Sequence, residues 1–158
     1  MIGTDSHALW RISNYPNLSG KGGLKAAGRW HSRGRLIVYL AESAAGALLE
    51  TLAHTEIDGE DVPESYSLLK VSVPDGLEIQ RLDTPAGVDW KSDQKLTQSI
   101  GDAWLKGKQA LLARVPSAIV SETWNYLLNP EHPDAAQLHI VAVTQERYDP
   151  RLFRFGPR

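Results

Sequence analysis

The chain has 158 residues, 42% of them apolar, and a formal net charge of −2, which suits one globular domain and supplies no basic tract to drive nucleic-acid binding. It has no cysteine, which excludes a disulfide framework, thiolate zinc ligation and thiol catalysis. The start, MIGTDSHALW, lacks a leader's basic and apolar regions, and no segment reaches the roughly 20 apolar residues of a membrane helix, so a cytoplasmic protein is expected.

In chain order, residues 7–13 (HALWRIS) alternate, with Leu9, Arg11 and Ser13 on one side and Ala8, Trp10 and Ile12 on the other. That pattern predicts a short strand with Arg11 on its less apolar side. A stretch with Gly20, Gly22, Gly23 and Gly28 follows and reads as a mobile loop without regular structure. Its glycines do not follow a strand and open a helix, so it is no dinucleotide fingerprint. The apolar run 36–41 (LIVYLA) predicts a buried strand. Residues 44–54 (AAGALLETLAH) predict a helix capped by Ser43. Its expected core face is Ala44, Leu48, Thr51 and Leu52, with Gly46, Glu50 and His54 on a separate stripe at i, i+4 spacing.

Strands are expected at 66–73 and 77–82, joined by a Pro74-Asp75-Gly76 turn. Residues 93–106 read as helix. Residues 110–115 and 117–120 read as strand-like and broken at Pro116. Residues 123–134 (TWNYLLNPEHPD) read as a short turn or helix ended by Pro130 and Pro133. A last strand is expected at 138–144. No repeat, low-complexity run or linker divides the chain, and the mixed order of elements predicts a single α+β domain.

Several side chains are candidates for chemistry. Glu50 lies on a small-residue helix face, where Gly46 leaves room for a ligand, and a carboxylate there suits a cationic, oxocarbenium-like sugar or its hydroxyl. Arg11 within an apolar strand offers a fork for a pyrophosphate or carboxylate. Arg29 can hold a phosphate or stack on Trp30. Tyr39 is a ring platform or a core tyrosine. Ser117 is a ribose contact or an ordinary turn serine, and RVPSAIV lacks the elbow of a serine nucleophile. His132, Asp134 and His139 lack metal-site spacing, so no metal is expected. Taken singly, each residue has an ordinary structural reading that outweighs the functional one.

Their setting changes that balance. GRWHSRGRLIVYLAESAAGALLETLAH (28–54) and ARVPSAIVSETWNYLLNPEHPD (113–134) resemble the RES-domain family closely, over about residues 8–153 of a single 1–158 domain. The family's arginine, glutamate and serine fall on Arg11, Glu50 and Ser117. The resemblance implies a toxin of a bacterial toxin–antitoxin pair that depletes NAD by cleaving its nicotinamide–ribose bond. It implies a split mixed sheet around an NAD cleft, similar to that of ADP-ribosyltransferases. NAD would be substrate rather than cofactor. Arg11 and Arg29 would hold its phosphates or ribose, and Tyr39 would pack on the nicotinamide side. Glu50 would stabilise the developing cation, Ser117 would bind ribose, and Asn125 would orient the site. The implied partner is an Xre-type helix-turn-helix antitoxin that covers the cleft, in a complex that allows a homo-oligomeric toxin.

The chemistry fits such a residue set. Nicotinamide leaves neutral from a cationic ring, so no strong general acid is required, only a gripped NAD and a carboxylate near the anomeric carbon. Water, phosphate or a protein side chain can then accept the ADP-ribosyl group. Three rival readings remain: a protein-directed ADP-ribosyltransferase with the same site, a catalytically inactive antitoxin-binding module, and a serine hydrolase pairing Ser117 with His139 or His132.

Overall fold

A computed structural model of the chain describes residues 7–54 and 64–154. The first six residues, on which the leader reading partly rests, lie outside that range. The strands are β1 (His7–Ile12), β2 (Val38–Ala41), β3 (Ser65–Val73), β4 (Ile79–Arg81), β5 (Leu112–Pro116), β6 (Trp124–Leu128) and β7 (His139–Arg147). The helices among the described residues are α1 (Gly22–Lys25), α2 (Ala44–His54) and α3 (Gln94–Gly107), with three short 3-10 turns.

The seven strands among the described residues join one sheet in the order β4-β5-β6-β2-β1-β3-β7. The β4–β5 pair is parallel and the others are antiparallel, so the domain is α+β, as the order of elements predicts, with the mixed sheet that the resemblance implies. The pairing is uneven. β1 runs beside β3 from His7–Val73 to Ile12–Leu68, and β2 runs beside β6 from Val38–Leu128 to Ala41–Asn125. β1 and β2 share only the register pair Trp10–Ala41. The sheet is thus parted at its centre, and this parting positions the cleft described below.

Strand alternation divides the core in two. Leu112 and Leu128, which are register partners, enter a cluster with Leu9, Val38, Leu40 and Val71. Ala113 and Leu127, the next pair, enter a second cluster with Trp30, Trp104, Leu105 and Val115. α3 supplies Trp104 and Leu105 to that second layer and is capped by Asp93, whose side chain accepts from Leu96 N at 3.1 Å. Ser43 Oγ accepts from Gly46 N at 2.9 Å, which makes it the expected cap of α2. The buried residue of α2 is Ala47, so its core face is centred one position away from Leu48. No helix among the described residues is long and apolar enough to cross a membrane.

Three local expectations are corrected. Residues 124–128 form a strand in the middle of the sheet, between β5 and β2, not a turn or helix. Trp124 and Tyr126 favour a pleated surface, and Pro130 acts as a stop beyond the strand. Residues 117–120 are not strand. Ser117 Oγ accepts from Ile119 N and Val120 N at 3.1 and 3.2 Å, so the side chain takes amides that a strand would spend on its ladder. The expected strands on either side of the Pro74–Gly76 turn are present as β3 and β4, and β4 goes on to the far edge of the sheet beside β5. The glycine-rich stretch contains one helical turn, α1. Gly23 lies against the Arg35 carbonyl, where a Cβ would collide, so a side chain at this position would push the turn off the 35–37 backbone.

Candidate functional site

The cleft at the parting of the sheet has a volume of about 400 Å³, within the range of small-molecule sites. Arg11 and Trp10 come from β1, Tyr39 from β2, Glu50 and His54 from α2, and Asn125 from β6; Ala26, Gly28, Arg29 and His31 line the side formed by the glycine-rich stretch. Five of the six residues singled out in the sequence therefore share one wall system. The sixth, Ser117, sits directly behind Glu50.

Glu50 is held by neutral donors. Ser117 Oγ donates to Glu50 Oε1 at 2.9 Å, and Asn125 Nδ2 donates to the same oxygen at 2.8 Å. Oε2 lies outside this clamp, 4.0 Å from His54 Nε2, and the Glu50 side chain is 25% exposed. Ser117 is only 3% exposed. Its single proton goes to Glu50 and its oxygen receives Ile119 N and Val120 N, so within this structure the hydroxyl is saturated by protein groups. Ser117 and the candidate histidines do not meet. His139 is on β7, at the opposite side of the sheet from β5, and His132 Nδ1 accepts from Asp134 N at 3.0 Å.

Arg11 is the main cation of the cleft. Its Nη1 donates to the Tyr39 carbonyl at 3.2 Å, while its buried Nε has no hydrogen-bond partner and the guanidinium no carboxylate partner among the described residues. Burial lowers its pKa from the ordinary arginine value. A half-buried guanidinium with an unmet donor and no carboxylate partner has the chemistry to take an anionic ligand. Arg29 also lines the cleft and donates through Nη1 to the Lys91 carbonyl at 3.1 Å. Trp30 packs on Trp90 instead, with ring centroids 6.1 Å apart.

Tyr39 belongs to a directed chain of hydrogen bonds. His31 Nε2 lies 2.8 Å from the Ala26 carbonyl, which can only accept, so in the neutral ring Nε2 carries the proton and Nδ1 accepts. The Tyr39 hydroxyl, 2.7 Å from His31 Nδ1, donates to it and receives Trp30 N–H at 3.0 Å. Burial, chiefly, pushes the Tyr39 phenol well above its ordinary range, so it stays protonated. Gly28 makes this arrangement possible, because a Cβ there would come within 2.6 Å of the Tyr39 hydroxyl and 2.8 Å of His31 Cε1. α3 fixes the same backbone: Thr97 Oγ1 donates to the Arg29 carbonyl at 2.5 Å, Gln98 Nε2 to the Gly28 carbonyl at 2.9 Å, and Asp102 accepts from Ser32 N at 2.9 Å.

His31 and His54 are cleft residues to which no role was attached from the sequence. His54 carried a signal, since it shares the Glu50 stripe of α2. His31 carried none, because its partners lie on a loop and on β2.

The sequence profile of the RES domain family matches residues 8–151. The chain is 47% identical over 146 residues to a protein of Pseudomonas putida named Toxin Res, covering 92% of this chain and 99% of that one. It is 36% identical over 158 residues to the Prs ADP-ribosylating toxin of a Sphingobium species, covering 93% and 97% of the two chains. Its fold is similar to that in the crystal structure of the M. tuberculosis MbcT–MbcA toxin–antitoxin complex, with a TM-score of 0.70 and 22% identity over 94% of this chain and 87% of that one. With a matching profile over nearly its whole length and relatives of this similarity, the chain belongs to the RES domain family.

Proposed function

We propose that this protein is the toxin of a toxin–antitoxin pair, and that it acts in the cytoplasm by cleaving the nicotinamide–ribose bond of NAD. The observation that carries this reading is the convergence of Arg11, Arg29, Tyr39, Glu50 and Asn125 on one cleft of about 400 Å³. Arg11, with donors unmet inside the protein, holds the phosphates together with Arg29. Tyr39, its hydroxyl bound inward to His31, offers its ring to the nicotinamide side. Glu50 stands by the anomeric carbon, and its charge stabilises the cation that forms as neutral nicotinamide departs. Ser117 and Asn125 act through Glu50, fixing its carboxylate before the substrate arrives. NAD is the substrate, and this chemistry asks for no metal.

The acceptor is water or phosphate. Purified protein incubated with NAD is expected to release nicotinamide and form ADP-ribose, with ADP-ribose 1″-phosphate added when phosphate is present. Intact NAD after prolonged incubation with folded protein sinks the reading. A second reading, transfer to a protein side chain, is favoured by the relative named as an ADP-ribosylating toxin. It predicts a mass increase on cellular proteins after expression, in place of free ADP-ribose.

The partner we propose is an Xre-type helix-turn-helix antitoxin seated over the cleft. Support comes from the solved neighbour, which is a toxin–antitoxin complex. Such a partner competes with NAD, so toxicity follows the free toxin fraction.

A further inference from the structure

Two histidines line the cleft, and they differ in what is left to them. His31 is 3% exposed and has both ring nitrogens engaged, with Tyr39 and with the Ala26 carbonyl. His54 is the last residue of α2, one helical turn beyond Glu50, and its side chain is 71% exposed. Its Nε2 is 4.0 Å from Glu50 Oε2. That separation is too long for a direct hydrogen bond and short enough for one small molecule to touch both atoms. The helix places the two residues on one face, because positions i and i+4 lie one turn apart.

We propose that His54 is the base that receives the proton of an attacking water held between it and Glu50 Oε2. The proposal rests on the NAD reading and adds the nucleophile's position and activation. The C1″–N bond breaks and its electron pair leaves with nicotinamide. The water oxygen bonds to C1″ and gives one proton to His54 Nε2. The exposed ring then returns that proton to solvent, so that NAD and water become ADP-ribose, nicotinamide and a proton. An imidazole nitrogen can accept such a proton and pass it on. An anionic nucleophile already carries the attacking electron pair and does not need the base. Phosphate dianion or azide should therefore bypass His54.

The test uses the full chain and its variants His54→Gln and His54→Ala, with NAD in water alone and with added azide or phosphate. Nicotinamide release and the ratio of ADP-ribose to the anion adduct are the readouts. The variants are expected to lose about 100-fold in hydrolysis and so to shift that ratio toward the adduct by about the same factor. Glutamine preserves hydrogen bonding but takes no proton, so it should behave as alanine does. An unchanged product ratio in active variants overturns the proposal while leaving NAD cleavage standing. So does restoration of hydrolysis by glutamine, or a wild-type protein that forms the adduct but no ADP-ribose. A wild-type protein that releases no nicotinamide with any nucleophile overturns the NAD reading and this proposal together.

Discussion

The Ser117 hydroxyl donates to Glu50 Oε1 at 2.9 Å and so ties the turn after β5 to the middle of α2. The same oxygen receives two backbone amides of its own turn. One side chain thereby shapes the turn and aims the carboxylate. Ser117→Ala removes both functions at once. We expect a loss of about 1–2 kcal/mol of stability from the amides and carboxylate left with one partner fewer. Nicotinamide release should fall by at least about 10-fold, since a misaligned group loses its preorganised geometry. Urea unfolding and turnover measured on one preparation check this. A destabilised variant with wild-type turnover would reduce Ser117 to a turn serine.

Arg11 is expected to act in binding. Arg11→Lys retains a positive charge but loses the planar fork and the reach of Nη1 to the Tyr39 carbonyl. The KM for NAD should rise by at least about 10-fold, because the paired donors to the phosphates are lost. Steady-state kinetics over a range of NAD concentrations decide the matter, and an unchanged KM contradicts the phosphate-holding role.

Tyr39 gives a pH dependence with a definite sign. Burial is the main cause that raises its pKa in the folded protein above the ordinary 10.0. An unfolded chain therefore releases this proton at a pH where the folded chain keeps it. The associated stability is fully present below about pH 10 and is lost as pH rises beyond it, at up to about 1.4 kcal/mol per pH unit for one proton. Tyr39→Phe should remove this part of the alkaline decline. The check is the difference in unfolding free energy between wild type and variant at several pH values from 9 to 11. Parallel curves would contradict the buried, protonated phenol.

Gly28→Ala tests the loop that carries His31 and Arg29. The added methyl meets the Tyr39 hydroxyl at 2.6 Å and the His31 ring, and both are held by other bonds. Overpacking here should cost about 1–3 kcal/mol and weaken NAD binding as the chain from Trp30 to His31 is displaced. Thermal melts with and without NAD report both effects. An unchanged melting temperature would mean that the loop yields freely.

Helix α2 and strand β1 were legible in the sequence because their signals are local: periodic apolar spacing, a serine cap and strict alternation. The family's three residues were legible through their setting, and the structure places Glu50 and Ser117 in contact across 67 positions. β6 was not legible. Its proline-punctuated surroundings read as a turn, while its state is set by β5 and β2 on either side. The turn at Ser117 was hidden for the opposite reason, since Ile119 and Val120 are strand formers overruled by side-chain hydrogen bonds to their amides. The engagement of His31 depends on a carbonyl five residues back and a tyrosine eight residues on, a pairing that no periodicity announces.

The central claim is that the Glu50 carboxylate drives loss of nicotinamide from NAD. Glu50→Gln is its most direct test, because the amide oxygen can still accept from Ser117 and Asn125 while the negative charge is gone. Nicotinamide release by purified wild type and variant should be compared after matching their circular dichroism and melting curves. The account predicts a folded variant slower by about 100-fold or more, the scale on which electrostatic stabilisation of a transition state is felt. A folded Glu50→Gln protein that releases nicotinamide at the wild-type rate would contradict it.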